Sequence, residues 1–423
     1  MFLQARQWNA LRETPHKLRQ PRLPLETRTM GLSTSRAGKR VLLIVALSMC
    51  SVTAGCREGP WRLWNSYASR FIDPQSGRVF DPNGDQRTTS EGQAYALFFS
   101  LADNDRPTFN RILAWTEKNL ASGDLNTHLP AWLWGKDKDG QWKILDPNSA
   151  SDADVWMAYT LLEAGRLWNS SADITLGRDM LALIASKEVV SLPGFGPMLV
   201  PGPSGFQLGS NWILNPSYLP IFVFERFAAL DPAGPWQQIV LSIPKLLAQS
   251  SPHGYAMDWV EYIPGDGFYP MPKPSDASQN GPNAAGPGGS YDAIRVYLWA
   301  GMIDSHDPSR DLVLQAVPAM SGFLANHDVP REMVSEQGIP GEQDGPVGFS
   351  AAVMPYLRAY PDSSRAIARQ MIRLSAQKDA ASGLYGKDKA YYDQNLTLFA
   401  TGFLDRRFRF GPGGELNVEW KRR

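Results

Sequence analysis

The sequence predicts an all-α fold, a closed ring of helical hairpins of the (α/α)6 barrel kind. From about Trp61 onward, apolar positions recur at helical spacing in one segment after another, and alternating strand patterns are scarce. The connections, dense in Gly, Pro, Asn and Asp, alternate long with short, as a ring of hairpins requires. Length agrees: 423 residues with 43% hydrophobic content can bury a large core.

Taken in order, the chain opens on an extension rich in Arg and Pro, with no amphipathic repeat over residues 1 to 29. Lys39 and Arg40 then precede an apolar run from Val41 to Leu47, which passes through small residues to Thr53-Ala54-Gly55-Cys56. Charge, apolar stretch and small residues in that order make a secretory signal, and about 14 apolar residues fall short of the roughly 20 that cross a bilayer. Met30 would start a signal of ordinary length. Cleavage after Ala54 would release a soluble protein, whereas the Thr-Ala-Gly-Cys box resembles one cleaved before a lipid-modified cysteine; the second reading is favoured and sets a lipid anchor at Cys56. Cys50 lies within the signal, so no intramolecular disulfide is expected in an exported product. Residues 1–55 therefore read as extension and signal, and 56–423 as one domain.

The helical segments follow: Ala94 to Leu101, Phe109 to Leu120, Val155 to Trp168, Met180 to Ala185, Leu219 to Ala229, Ile239 to Leu247, Ile294 to Met302, Leu312 to Leu324, Ala351 to Leu357 and Ala366 to Leu374. The longest irregular stretch, Tyr262 to Gly289, is full of Pro, Gly, Ser and Asn and reads as a loop that walls a site rather than as a linker.

Composition removes several function classes. Residues 1–55 hold nine Lys or Arg and two acids, which leaves 33 basic and 40 acidic residues beyond them, a net of −7 that argues against nucleic acid as a partner. The five His have no metal-ligand spacing, no phosphate-cradling glycine loop precedes a helix, and no Gly-x-Ser-x-Gly elbow is present. No catalytic metal or organic cofactor is expected.

Three segments place an acid between a loop of small residues and an apolar helical stretch: Ser90-Glu91-Gly92-Gln93, Ser149-Ala150-Ser151-Asp152-Ala153-Asp154 and Ser290-Tyr291-Asp292-Ala293. The ordinary explanation for each is helix capping, in which the side chain serves free backbone amides and the charge suits the helix dipole. In neighbouring helices of one ring, however, the three carboxyls would meet at one rim, as acid and base catalysis on a glycosidic bond requires. Glu91 is the candidate acid. A helix start lowers a carboxyl pKa, so that role requires burial or a second carboxylate such as Asp152 to raise it. Arg295 follows Asp292 on the same helical face. The 14 Trp and 14 Tyr add a sugar-binding element. Trp156, inside a helix, fits the core, while Trp132, beside Pro130, and Trp212, in a Gly-Ser-Asn loop, look like platforms for sugar rings.

These motifs are similar to those of glycoside hydrolase family 8. The likeness runs from about Trp61 to Trp420 through Thr88-Thr89-Ser90-Glu91-Gly92-Gln93, Leu129-Pro130-Ala131-Trp132-Leu133-Trp134-Gly135, Asn148 to Ala158, Asn215-Pro216-Ser217-Tyr218-Leu219-Pro220, Ser290 to Tyr297, Gly345 to Ala352 and Arg407-Phe408-Arg409-Phe410. Within the family it resembles the periplasmic endoglucanases that accompany bacterial cellulose synthesis. The resemblance implies an (α/α)6 barrel with an open cleft for a β-1,4-glucan chain, cut with inversion at the anomeric carbon. It implies Glu91 as general acid, Asp292 as general base and Asp152 as the acid that grips the distorted sugar. Tyr291 and Arg295 would orient base and water, and Trp132, Trp212 and Tyr218 would line sugar subsites. It further implies a periplasmic setting and contact with a cellulose synthase secretion complex. The extended N-terminus and the stretch from Pro264 to Gly289 are its least familiar parts. The same fold acting on xylan, mixed-linkage glucan or chitosan, and a glycan-binding scaffold without turnover, are the alternatives.

Overall fold

The computed structural model describes residues 60–274 and 286–421. The signal, Cys50 and Cys56 lie outside the described residues, as does the middle of the Tyr262–Gly289 stretch. Thirteen α-helices run in the order α1 Arg62–Phe71, α2 Ser90–Ala102, α3 Arg106–Leu120, α4 Ser151–Trp168, α5 Ser171–Lys187, α6 Ile221–Leu230, α7 Trp236–Ser250, α8 Ala293–Met302, α9 Arg310–Ala316, α10 Ala319–Asn326, α11 Val347–Leu357, α12 Ser364–Ala376 and α13 Tyr391–Leu404 among the described residues.

They sort into two concentric rings. Every residue of α2 and of α11 is buried, and α4, α8 and α13 are buried over most of their surface, because these helices have neighbours on all sides. Helix α12 buries only a stripe, Ala366, Gln370 and Leu374, at the spacing of one helical face. Five inner helices are each followed by an outer one packed on it, α2 by α3, α4 by α5, α6 by α7, α8 by α9 and α11 by α12, while α1 packs on α13. The inner ring closes through α2–α4, α4–α6, α8–α11 and α11–α13 packing, through Phe222 against Trp299 between α6 and α8, and through Phe399 against Phe98 and Phe99 between α13 and α2. This is the predicted (α/α)6 barrel.

Its axis is filled by aromatic rings, one from each of five inner helices. Trp156 (α4) meets Phe98 (α2) at 4.9 Å, Phe399 (α13) at 5.0 Å, Trp299 (α8) at 5.3 Å and Phe222 (α6) at 6.0 Å between ring centroids. Phe410, from the C-terminal hairpin, stacks on Phe222 at 3.9 Å. Edge-to-face and offset contacts of this kind add roughly 0.5–1.5 kcal/mol each beyond area burial. Trp156 is thus core, as the sequence indicates.

Two helices escape the sequence reading. Helix α13 carries buried Asp393, Gln394, Asn395 and Thr397, which break its apolar period, and α1 is a single amphipathic stretch of 10 residues with Arg at both ends. Leu312 to Leu324 is two helices, interrupted at Val317-Pro318, where proline lacks the N–H that continuation needs.

Strand content is the main departure from expectation. The connections hold five small antiparallel sheets: β1 Thr88–Thr89 with β2 Ala131–Lys136 and β3 Trp142–Ser149; β4 Val189–Leu192 with β5 Gly196–Leu199; β6 Gln207–Leu208 and β7 Asn211–Leu214 with β8 Val260–Ile263 and β9 Gly267–Pro270; β10 Gly288–Gly289 with β11 Val334–Ser335; and β12 Phe408–Phe410 with β13 Leu416–Val418. Trp132 and Trp212 therefore sit on strands, and the stretch read as irregular from Tyr262 begins with the β8–β9 hairpin. Such strands are too short, and too mixed with Gly, Pro and Asp, to show a period of two. Three of them lead directly into acid-bearing helices: β1 into α2, β3 into α4 and β10 into α8.

Far from the acid-bearing ends, Glu163 locks the barrel. Its fully buried carboxylate accepts from Arg226 Nε at 2.7 Å, Arg166 Nε at 3.0 Å and the Leu416 N–H at 2.8 Å, joining α4, α6 and β13. Glu163→Ala would leave the buried Leu416 N–H without its acceptor and release two partly exposed arginines, and chemical denaturation should show a loss of about 1–3 kcal/mol.

Candidate active site

The three acids lie at the N-terminal ends of three inner helices: Glu91 is the second residue of α2, Asp152 the second of α4, and Asp292 precedes α8. One side chain brings them together. Arg295, fully buried in the first turn of α8, donates from Nη1 to Glu91 Oε2 at 2.8 Å, to Asp152 Oδ2 at 2.9 Å and to the Tyr95 hydroxyl at 3.0 Å, and from Nη2 to Asp292 Oδ1 at 2.8 Å. Its guanidinium carbon lies 5.4 Å from the centroid of the Tyr218 ring, which covers one face. Glu91 and Asp292 keep 6% and 7% of their surfaces open to solvent, and Asp152 only 2%.

Capping does not explain these acids. On α2 the cap is Thr89, whose Oγ1 accepts the Gly92 N–H at 3.1 Å, so Glu91 is free to turn inward. On α8 the cap comes from elsewhere in the chain. Asp258, just before β8, takes the N–H groups of Ser290, Asp292 and Ala293 on Oδ1 at 2.8, 3.1 and 2.7 Å, and the Ser290 hydroxyl on Oδ2. Burial, reinforced by the nearby Asp292, raises Asp258 to about 6. Asp292 is thereby released from helix duty; its Oδ2 accepts instead from the indole N–H of the adjacent Trp259 at 3.1 Å. Asp152 does both jobs, since Oδ1 accepts the Ala153 N–H at 2.9 Å while Oδ2 faces Arg295.

Electrostatics separate Glu91 from its neighbours. Burial drives its carboxyl up to about 8 against the downward pull of Arg295, with smaller upward pushes from Asp152 and Asp292. The hydrogen-bond contact between Glu91 and Asp152 agrees, because two carboxyls meet in that way only with a proton between them. The counter-effect that the sequence argument required is therefore present. A neutral acid beside two carboxyls gripped by an arginine can give a proton on one side of a bond and accept one on the other.

The other expected residues divide. Tyr218 joins the cluster. The Tyr291 hydroxyl donates to Glu332 Oε1 at 2.8 Å. Trp132 is half-buried on β2, and Trp212, half-buried on β7, packs at 6.4 Å from Tyr262. Neither ring has a contact with the carboxyl cluster among those described. Gln93, quoted beside Glu91, is structural: its amide accepts from the Val79 N–H at 2.6 Å and donates to Thr116 Oγ1 at 2.8 Å and Ile112 O at 3.3 Å. Sequence reasoning missed Asp258 and Tyr95, and placed Trp259 only among the aromatics. The signal for Asp258 was weak: one acid before a strand too short to register.

Comparison with known proteins agrees with this geometry. The profile described as Glycosyl hydrolases family 8 matches residues 35–406. The chain belongs to glycosyl hydrolase family 8. An endoglucanase of Xanthomonas axonopodis pv. citri is 43% identical over 386 residues, 91% of this chain and 96% of that one, and an endoglucanase of Escherichia coli K12 is 41% identical over 384 residues, 90% and 96% of the two chains. Among solved structures, the endo-1,4-D-glucanase of Vibrio fischeri ES114 superimposes with a TM-score of 0.77 at 38% identity, covering 85% of this chain and 99% of that one. A cold-adapted family 8 xylanase, 17% and 16% identical with TM-scores of 0.61 and 0.60 in two structures that cover 83% of this chain and 90% of that one, shares the fold.

Glycine is obligatory in this family 8 chain beside the acid. A Cβ at Gly92 would lie 2.1 Å from the Tyr391 hydroxyl and 3.2 Å from its ring. Gly92→Ala should cost roughly 1–3 kcal/mol in thermal unfolding, and Tyr391→Phe added to it should recover much of that loss by removing the closest atom.

Proposed function

We propose that the chain is an endo-acting glucanase that cleaves internal β-1,4-glucosidic bonds of cellulose with inversion, Glu91 serving as general acid and Asp292 as general base. The observation that carries the reading is the Arg295 cluster, in which one carboxyl is held protonated near neutral pH while another, ion-paired at the far nitrogen of the guanidinium, has a second oxygen on an indole N–H. Endoglucanases at 41–43% identity over about nine-tenths of the chain support the activity class.

In the proposed reaction Glu91 gives its proton to the glycosidic oxygen as the bond to the anomeric carbon breaks. Asp292 takes a proton from the water whose oxygen attacks that carbon from the opposite face, so the configuration inverts. Asp152, deepest of the three, holds the sugar at the cleavage point, and Arg295 keeps all three oriented. Inversion needs room for that water, which corresponds to carboxyls roughly 6.5–9.5 Å apart. The two 2.8 Å contacts on neighbouring nitrogens of one guanidinium cap the separation of the contacting oxygens near the middle of that interval. Export to the periplasm, lipid attachment at Cys56, and trimming of nascent glucan beside a cellulose synthase secretion complex complete the proposal.

Hydrolysis of carboxymethyl cellulose by protein lacking residues 1–55 tests it, with xylan and chitosan in parallel. Cleavage of the cellulose derivative with initial release of the α-anomer supports the reading. Preference for xylan or chitosan, or binding without turnover, would replace it. Glu91→Gln should bind glucan yet lose at least about a thousandfold in kcat. Because the acid works only when protonated, kcat/KM should decline as pH rises through about 8. A wild-type rate still rising at pH 9 would remove Glu91 from that role.

A further inference from the structure

A second carboxyl pair lies behind Asp152 and takes no direct part in the reaction just described. Asp154, in the first turn of α4, and Glu188, which follows α5, are both completely buried and in hydrogen-bond contact with each other. The Ser149 hydroxyl, at the end of β3, donates to Glu188 Oε1 at 2.6 Å. Among the described residues the donor this pair has is that one hydroxyl, which serves Glu188 and lies beside Asp154, and no N–H or O–H donates to Oε2 of Glu188. Nor does any cation form an ion pair with them there. The charged and titratable groups facing the pair are Asp152 on α4 and Lys187 on α5, with Ser149 the polar neighbour from β3; Glu91 and Arg295 lie beyond Asp152.

Two touching carboxylates with one hydroxyl donor and no cation between them would repel in a medium of low dielectric, so one of them must carry a proton. We propose that Asp154 and Glu188 hold one proton between them and act as positioning residues, tying the first turn of α4 to the start of the β4–β5 hairpin so that Asp152 meets Arg295. Backbone bonds run along the same seam. Ser151 N–H donates to Pro201 O at 3.0 Å, which fastens the far end of the hairpin to α4, and Val200 N–H donates to Glu188 O at 2.8 Å, which closes the two ends of the hairpin on each other. Loss of the shared proton places two negative charges under the turn that carries Asp152 and pushes it off that seam.

Burial raises both carboxyls above their ordinary values, Asp154 well above and Glu188 to about 7, each pushed further by Asp152. The sign follows. A carboxyl raised by folding contributes stability that is fully present below its ordinary value, about 4, and is lost progressively as pH rises from there to its folded value, about 7 for Glu188 and higher for Asp154.

The proposal rests on the placement of Asp152 in the glucanase reading, and two readouts separate the failure of one from that of the other. The first is melting temperature from pH 5 to 9 in protein carrying Glu91→Gln, which removes the titration of Glu91. That protein should lose stability steadily as pH rises from 5 through 7, while adding Asp154→Asn or Glu188→Gln, whose amide N–H takes the place of the shared proton, should flatten the loss. Curves that superimpose with and without the amide would overturn proton sharing, whatever the substrate. The second is kinetic, with Glu91 intact at pH 6. Asp154→Ala should lower kcat at least about tenfold with KM changed less, and Asp154→Asn should restore most of it. If the alanine and asparagine forms were equally impaired while both stay folded by circular dichroism, positioning through the shared proton would be wrong. If the alanine form does not fold, the pH dependence of the amide variants still decides.

Discussion

A single buried guanidinium is the constraint around which this barrel is organised. Moving an arginine out of water is costly by several kcal/mol, and the cost is offset only where carboxylates surround it with good geometry. Arg295 obtains them from three inner helices at once, none of which could shift by a turn without leaving a charge unpaired. The aromatic rings on the barrel axis keep water away from below. The same dryness that makes Arg295 demand partners also makes a third negative charge unfavourable, so the cluster keeps a proton on Glu91. Anchoring the fold and arming the acid are one electrostatic arrangement.

The ring architecture and the three acids were legible in the sequence because both leave local marks. An inner helix needs an unbroken apolar run, and a carboxyl at a helix start needs a small residue before it, so Ser90-Glu91, Ser151-Asp152 and Asp292 with Arg295 stood out. What failed was non-local. Trp132 and Trp212 were read as loop residues because β2 and β7 gain their identity only from the strands they pair with. Helix α13 was invisible because its buried Asp393 is paid for by the Gly348 N–H on another helix.

The capping explanation of acids at helix starts also proves instructive. It is sound for each residue taken alone, and it fails here because other groups do the capping. Thr89 serves α2 from one residue before it, and Asp258 serves α8 from 32 residues before Ser290. An acid at a helix start deserves functional suspicion when a second polar group already satisfies the amides. Only the tertiary structure reveals that second group.

Asp258 has a wider effect than holding one turn. The chain departs immediately after it, through the β8–β9 hairpin, and returns at Ser290, where the same carboxylate grips three successive amides and a hydroxyl. Both ends of this excursion are knotted to one side chain, and Asp292 sits at the knot. The closure entropy of a loop grows only slowly with its length. Residues between the two ends can therefore be added, removed or replaced without moving Asp292, which leaves evolution free to reshape what surrounds the carboxyl cluster while the cluster stays fixed.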